Sequence, residues 1–157
     1  MSGPFHPAVG IFEGPVSNVD SVQKNELGSL RFDGGRILQY VKFNATVPAA
    51  YEWCQVDNTQ FTTPYQVIQL AGSVTQVPFG VCEYGASSGS YGWITRLGPA
   101  TAKTATTAFA GSALRPGGSA GTLGPTWIGT APTQGAGYGI AIATGVANGS
   151  LVSVRCL

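Results

Sequence analysis

Charge is scarce in this chain of 157 residues, of which only 10% are Asp, Glu, Lys or Arg. An average globular protein has about a quarter of its residues charged. The net charge is +1, which argues against a nucleic-acid-binding protein with a broad basic surface. The shortage is greatest in the last third, because between Leu97 and Val154 only Lys103 and Arg115 are charged.

Histidine is almost absent, which limits the catalytic arrangements that the chain can build. His6 is the only imidazole, so a nucleophilic Ser or Cys lacks a ready base, and no catalytic residue is predicted. One His and three widely spaced Cys do not make a zinc-binding pattern, and there is no Asp-rich calcium loop. We therefore expect no metal and no cofactor. A hydrolase that uses Glu52 and Glu83, on predicted strands beside aromatic residues, as an acid pair is an alternative.

Long apolar runs are also missing. No segment approaches the ~18 apolar residues of a membrane span, and residues 1–7 have neither the basic start nor the apolar core of a secretory signal. We therefore expect a soluble protein that is made without export and has no membrane partner. In that setting Cys54, Cys82 and Cys156 are expected to be reduced, partly buried thiols, with a Cys54–Cys82 bridge as the alternative.

Helical signals are absent as well, and short β-like runs take their place. Leu30–Phe32 and Arg36–Phe43 flank the turn Asp33-Gly34-Gly35, which predicts a hairpin. Further strands are predicted at Tyr51–Val56, Tyr65–Leu70, Phe79–Tyr84, Tyr91–Leu97, Ala100–Ala110, Thr126–Ile128, Tyr138–Ala143 and Leu151–Cys156. Short strands at this spacing predict an all-β fold, a single β-sandwich or barrel-like domain over residues 27–157.

The first 26 residues differ from this domain. Residues 1–26 are rich in Pro and Gly, which resist both helix and central strand, so they predict an extended N-terminal arm. The arm carries more large apolar residues than exposed tails usually do, which favours docking on another surface over a disordered tail. The side chains expected to make that contact are Phe5, Ile11, Phe12 and Val16.

The charge-poor region from about residue 98 onward favours a component of an assembly. An uncharged surface has little electrostatic repulsion to prevent association with other proteins. Small residues let other backbones approach closely. We expect other protein to cover this region, with Trp127 and Tyr138 in the contact; an ordinary small β-domain of biased composition is the alternative. Together with Trp53 and Trp93, Trp127 has two further interpretations, as a core residue or as part of a stacking platform for a sugar.

Several segments together resemble one family of proteins. These segments are Glu26–Ser29, Gly35–Phe43, Pro64–Val67, Val77–Val81 and Gly89–Ile94. A Glu-Leu-Gly start, an R-x-x-x-Y-V-K strand and a Tyr-Gly-Trp strand followed by a glycine, here Gly98, are similar to those of head decoration (cement) proteins of tailed bacteriophages. The resemblance covers about residues 26–100, and the arm and the Gly/Ala-rich tail match no motif of the family.

The resemblance implies a β-rich virion protein, made in the host cytoplasm, that binds the outer capsid surface and joins neighbouring capsomers. It implies a homotrimer with the major capsid protein as its partner, and it identifies no contact residue. We therefore predict a non-enzymatic capsid decoration protein with no nucleic-acid partner. The alternative is a carbohydrate-binding β-module of a phage fibre or another receptor-binding assembly, which would use Trp53, Trp93 or Trp127.

Overall fold

The fold is all-β, as predicted. The computed structural model describes residues 14–59, 65–72, 77–105, 109–116, 119–125, 127–128, 131–132, 139–141 and 148–156. Within these ranges every regular element is a strand. It follows that no helix among them is long and apolar enough to cross a membrane.

Thirteen strands lie in the described part of the chain. They are β1 (Val19–Asp20), β2 (Leu30–Asp33), β3 (Arg36–Phe43), β4 (Glu52–Val56), β5 (Gln66–Gln69), β6 (Gly80–Cys82), β7 (Tyr91–Lys103), β8 (Ala113–Arg115), β9 (Gly124–Pro125), β10 (Trp127–Ile128), β11 (Ala131–Pro132), β12 (Gly139–Ala141) and β13 (Asn148–Arg155). β2 and β3 form the predicted hairpin, and the other predicted runs each contain or overlap a strand.

Five of these strands pair in a closed ring. β3 pairs in parallel with β5, and the antiparallel pairs β5–β4, β4–β6, β6–β7 and β7–β3 complete the circle. Every strand of the ring contributes to one buried apolar cluster, whose members are Val41, Phe43, Cys54, Val67, Cys82 and Ile94. Ring closure around a common core agrees with the barrel-like form of the predicted domain.

The second half of the chain extends the sheet beyond the ring. β7 continues past β3 to pair with β13, and β13 is followed in the sheet by β12, β8 and β9. This extension covers the outside of the barrel at Trp53, which is fully buried. The cluster between the two parts consists of Trp53, Leu70, Val81, Ala100, Ala102, Leu114, Leu123, Val152, Val154 and Cys156.

The continuity of β7 differs from the prediction, which placed a break after Leu97 and a new strand from Ala100. Gly98 has a φ of +98°, and a Cβ built on it would lie 2.6 Å from the carbonyl oxygen of Gly35. Only glycine fits there without strain. Pro99 lies beyond Leu97, the last β7 residue that pairs with β3, so its missing N–H leaves no β3 hydrogen bond unmade.

The end of the predicted arm lies on this chain's own barrel. β1 pairs antiparallel with β7, with Val19 opposite Gly92. Val16 packs against the outer face of the barrel together with Leu27 and Tyr91. The residues under them are Leu38, Tyr40 and Trp93. Residues 1–13 of the arm lie outside the described residues, so the docking prediction for them stays a prediction.

The small interior of the barrel predicts a strong effect of one methyl group at Gly80. A Cβ there would lie 2.8 Å from the Thr95 carbonyl oxygen and 2.9 Å from Cδ1 of Ile94. We expect Gly80→Ala to lower the free energy of unfolding by about 1–3 kcal/mol, because the barrel strands must move apart. Urea denaturation measures this. The exposed Ser88→Ala should change it by less than about 0.5 kcal/mol. Equal stability of the two variants would contradict this packing.

Candidate functional site

An apolar surface crosses three neighbouring strands at the β2 edge of the sheet. Phe32 lies opposite Ile37, and Ile37 lies opposite Leu97, so the three side chains form one row on one face. Phe32 is 76% exposed, and Leu30, two residues earlier on the same face, is 48% exposed. Ile37 and Leu97 are half-buried. We call Leu30, Phe32, Ile37 and Leu97 the β2 surface.

A tight turn fixes the position of this surface. Gly34 and Gly35 adopt φ values of +55° and +78°, which a two-residue hairpin turn requires. Beside the turn, the Arg36 guanidinium donates to Asp33 at 3.0 Å and to Glu83 at 2.7 Å. The ion pairs hold the hairpin against the loop after β6, so the exposed Phe32 lies on a hairpin that is fixed in position.

The N-terminal end of the described chain lies beside the same hairpin. Arg31 points to the face opposite Phe32, where its guanidinium lies 6.0 Å from the centre of the Trp93 ring. The same guanidinium donates to the Gly14 carbonyl oxygen at 3.0 Å. Residues 1–13 therefore join the described chain close to β2.

The residues predicted to make contacts are only partly described. Val16 is half-buried against this chain's own barrel. The backbone of Trp127 pairs with that of Pro132 in the β10–β11 ladder. The other four predicted contact residues lie outside the described residues, namely Phe5, Ile11, Phe12 and Tyr138. Leu30 and Phe32 are not among the predicted contact residues, although a charged Arg31 between two large apolar residues does signal a strand with one apolar face.

Two of the three tryptophans belong to the core. Trp53 is 0% exposed, and its Nε1 donates to the Lys103 carbonyl oxygen at 3.0 Å. Trp93 is 5% exposed, and the Tyr40 ring meets it edge-on with centres 5.1 Å apart. Of the interpretations considered for these two residues, the structure supports the core role. Neither ring presents a face on which a sugar could stack.

Glu52 and Glu83 each belong to a separate hydrogen-bond network. Glu52 accepts from Lys103 Nζ at 3.0 Å, Gln69 Nε2 at 2.7 Å and the Ala49 N–H at 2.8 Å. Burial opposes ionisation of Glu52, but these hydrogen bonds outweigh it and lower its pKa. A general acid needs the opposite shift, so this environment suits a structural carboxylate.

The Glu83 network is built in the same way. Its carboxylate accepts from Arg36 at 2.7 Å, from the Thr95 hydroxyl at 3.1 Å and from the Thr101 N–H at 3.1 Å. The carboxylate thus joins the hairpin turn to β7. Both acids of the predicted pair are occupied in holding strands together.

The three cysteines are buried thiols and form no disulfide, as expected from the sequence. Burial raises the pKa of all three, to about 12 for Cys82 and Cys156. A thiol with such a pKa is almost entirely protonated near neutral pH and is a poor nucleophile. Among the described residues no group of three or more His, Cys, Asp or Glu side chains could hold a metal ion.

No protein-family model matches the sequence, and no curated protein matches it.

The Glu52 network predicts a loss of stability that depends on pH. Glu52→Gln removes the charge that neutralises Lys103, and we expect it to lower the free energy of unfolding by about 1–3 kcal/mol at neutral pH. Because the folded-state pKa of Glu52 lies below the ordinary 4.5, this contribution is complete above 4.5 and disappears as the pH falls through the folded-state value.

Urea denaturation at neutral and acidic pH measures the difference between Glu52→Gln and the unmodified chain. Glu26→Gln, at an exposed acid, is the matched control and should change little at either pH. A pH-independent loss in Glu52→Gln would show that the lost packing, and not the charge, causes the effect.

Proposed function

We propose that this chain is a non-enzymatic decoration protein that binds the outside of a phage capsid and stabilises contacts between capsomers. The observation that carries the proposal is the β2 surface, where Leu30 and Phe32 are exposed on a strand that pairing and ion pairs hold rigid. Exposed apolar side chains that cluster on one face are typical of contact surfaces. A preorganised surface also loses little conformational entropy when it binds.

The family resemblance supports the same function. The segments that resemble head decoration proteins include all of β3, which carries Ile37, and the first part of β7, the strand that continues to Leu97. They also include Gly35, against which Gly98 packs. The resemblance thus falls on the residues that build the scaffold under the β2 surface.

The N-terminal arm extends this contact in the proposal. Residues 1–13 join the chain at Gly14, whose carbonyl is bonded to Arg31 of β2. Fully extended, 13 residues span at most roughly 43–47 Å, which is enough to reach a neighbouring subunit. Each large apolar side chain buried there, such as Phe5 or Phe12, would contribute about 1.5–3 kcal/mol before the cost of ordering the arm.

The partner in this proposal is the major capsid protein, and the protein acts as a homotrimer. Many copies at equivalent positions add binding energy across the seams of the shell without any chemical reaction. Trp127 and Tyr138, in the charge-poor part of the chain, are proposed for contacts between the copies.

Phe32→Ser tests the β2 surface directly. Because Phe32 is mostly exposed, the variant should fold normally and keep its stability within about 0.5 kcal/mol. We expect at least about tenfold weaker binding to bare capsid shells, since truncation of a central contact side chain costs more than ~1.4 kcal/mol. Co-sedimentation with shells measures the affinity. Val56→Ser, at a residue 37% exposed at the end of β4, is the control. Equal loss in both variants would contradict the assignment of this surface.

The test of the arm deletes fewer residues than the 26 predicted to form it. Val16 and β1 pack on the barrel, so removing residues up to Val22 would damage the domain itself. Deletion of residues 1–13 should leave the thermal stability unchanged and weaken shell binding. Electron microscopy of particles should place the protein at symmetry positions of the capsid. Density confined to a tail fibre, together with glycan binding, would support the carbohydrate-binding module instead.

A further inference from the structure

Arg96 is placed by an irregularity in strand β7. Leu38 of β3 lies opposite Thr95, but the neighbouring Ile37 lies opposite Leu97, so Arg96 is the extra residue of a β-bulge. A bulge turns a side chain out of the regular alternation and is found repeatedly beside binding sites. The Arg96 carbonyl oxygen accepts from the Cys156 N–H at 2.9 Å, which fixes the bulge against the chain beyond β13.

Three neutral contacts hold the Arg96 guanidinium in one orientation. Its Nε donates to the Cys156 carbonyl oxygen at 2.7 Å, and one terminal nitrogen donates to Oε1 of Gln39. The guanidinium carbon lies 3.7 Å from the centre of the Phe79 ring. Gln39 is itself fixed, because its amide donates to the Gly28 carbonyl oxygen at 3.1 Å.

Arg96 has no carboxylate partner among the described residues. The half-buried Arg36 and Lys103, by contrast, pair with Glu83 and Glu52. Burial of Arg96 lowers its pKa, which means that the surroundings penalise its charge without an internal anion to offset the penalty. The guanidinium fork keeps further N–H donors that meet no acceptor in the described part of the chain.

Arg96 lies beside the β2 surface. Gln39, which binds Arg96, lies opposite Leu30, and the next row on this face is Phe32, Ile37 and Leu97. Arg155 lies opposite Leu97 and is exposed, so it adds a second positive charge at the end of that row. Neither row contains an acid.

We propose that Arg96 is a receptor for a carboxylate of a protein partner, an Asp or Glu side chain or a chain terminus, seated next to apolar side chains that cover the β2 surface. The planar fork matches a carboxylate, which can accept two parallel N–H donors. The apolar row beside it favours a protein over a nucleic acid, whose backbone offers no apolar complement. That this partner is a capsid subunit rests on the proposed function, whereas the receptor itself does not.

Titration of the unmodified protein with sodium acetate tests the receptor. The ¹⁵N–¹H signals of the arginine Nε groups are followed by NMR, with sodium chloride at equal ionic strength as the reference. We expect a saturable shift of the Arg96 signal, while the signal of the exposed Arg115 moves little and linearly. No saturable shift at Arg96, or the same shift with chloride, would overturn the proposal.

Shell binding then tests whether the receptor serves the proposed function. Arg96→Gln should weaken binding at least about tenfold and reduce its dependence on salt, whereas Lys42→Gln, on the opposite face of β3 beside Tyr91, should not. An acetate shift without any shell binding by the unmodified protein would refute the capsid function and leave the receptor standing. Shell binding that Arg96→Gln leaves intact, together with no acetate shift, would refute the receptor alone.

Discussion

The position of β7 in both the barrel and its extension is the constraint on which the rest of the molecule depends. Its first half closes the barrel by pairing with β3 and β6, and its second half carries the extension by pairing with β13. Ile94 therefore lies inside the barrel, while Ala100 and Ala102 lie in the cluster outside it. The strand changes partners at Leu97, which pairs with both β3 and β13. The Arg96 bulge and the left-handed Gly98 flank this point, so the change of partner strand and the position of Arg96 beside the β2 surface have one structural origin.

Local features of the fold could be predicted from the sequence, and long-range ones could not. The β2–β3 hairpin follows from two glycines between alternating runs, which is a signal within a dozen residues. The continuation of β7 through Gly98 and Pro99 depends on the approach of Gly35 from another strand. The parallel pairing of β3 with β5 and the single pair Val81–Thr95 that closes the ring likewise leave no local trace. Such pairings are decided by packing between distant segments, which single-sequence patterns do not report.

The candidate site likewise has one part that the sequence predicts and one part that it does not. The alternation of Leu30, Arg31 and Phe32 predicts one apolar face, but the same pattern occurs in strands whose apolar face is covered by a second layer. Exposure follows only from the absence of a covering layer over this face in the described residues. Arg96 has no sequence signal at all, because an isolated arginine in a β run is usually solvated. Its orientation results from the bulge and from Gln39 and Cys156, which lie 57 and 60 residues away in the sequence.

In the proposed interaction, the scarcity of charge would make this face selective for its partner. Glu52 and Glu83 are used inside the molecule to neutralise Lys103 and Arg36, so they contribute little negative charge to the surface. The face that carries Phe32 keeps Arg96 and Arg155 and no acid in either row. Two copies that met through this face about a two-fold axis would bring like charges together, which disfavours self-association there. A different chain that presents acids beside apolar side chains would pair with the two arginines and also cover the β2 surface. In the proposed trimer, contacts between copies therefore belong to another surface, for which the charge-poor C-terminal part is the better candidate.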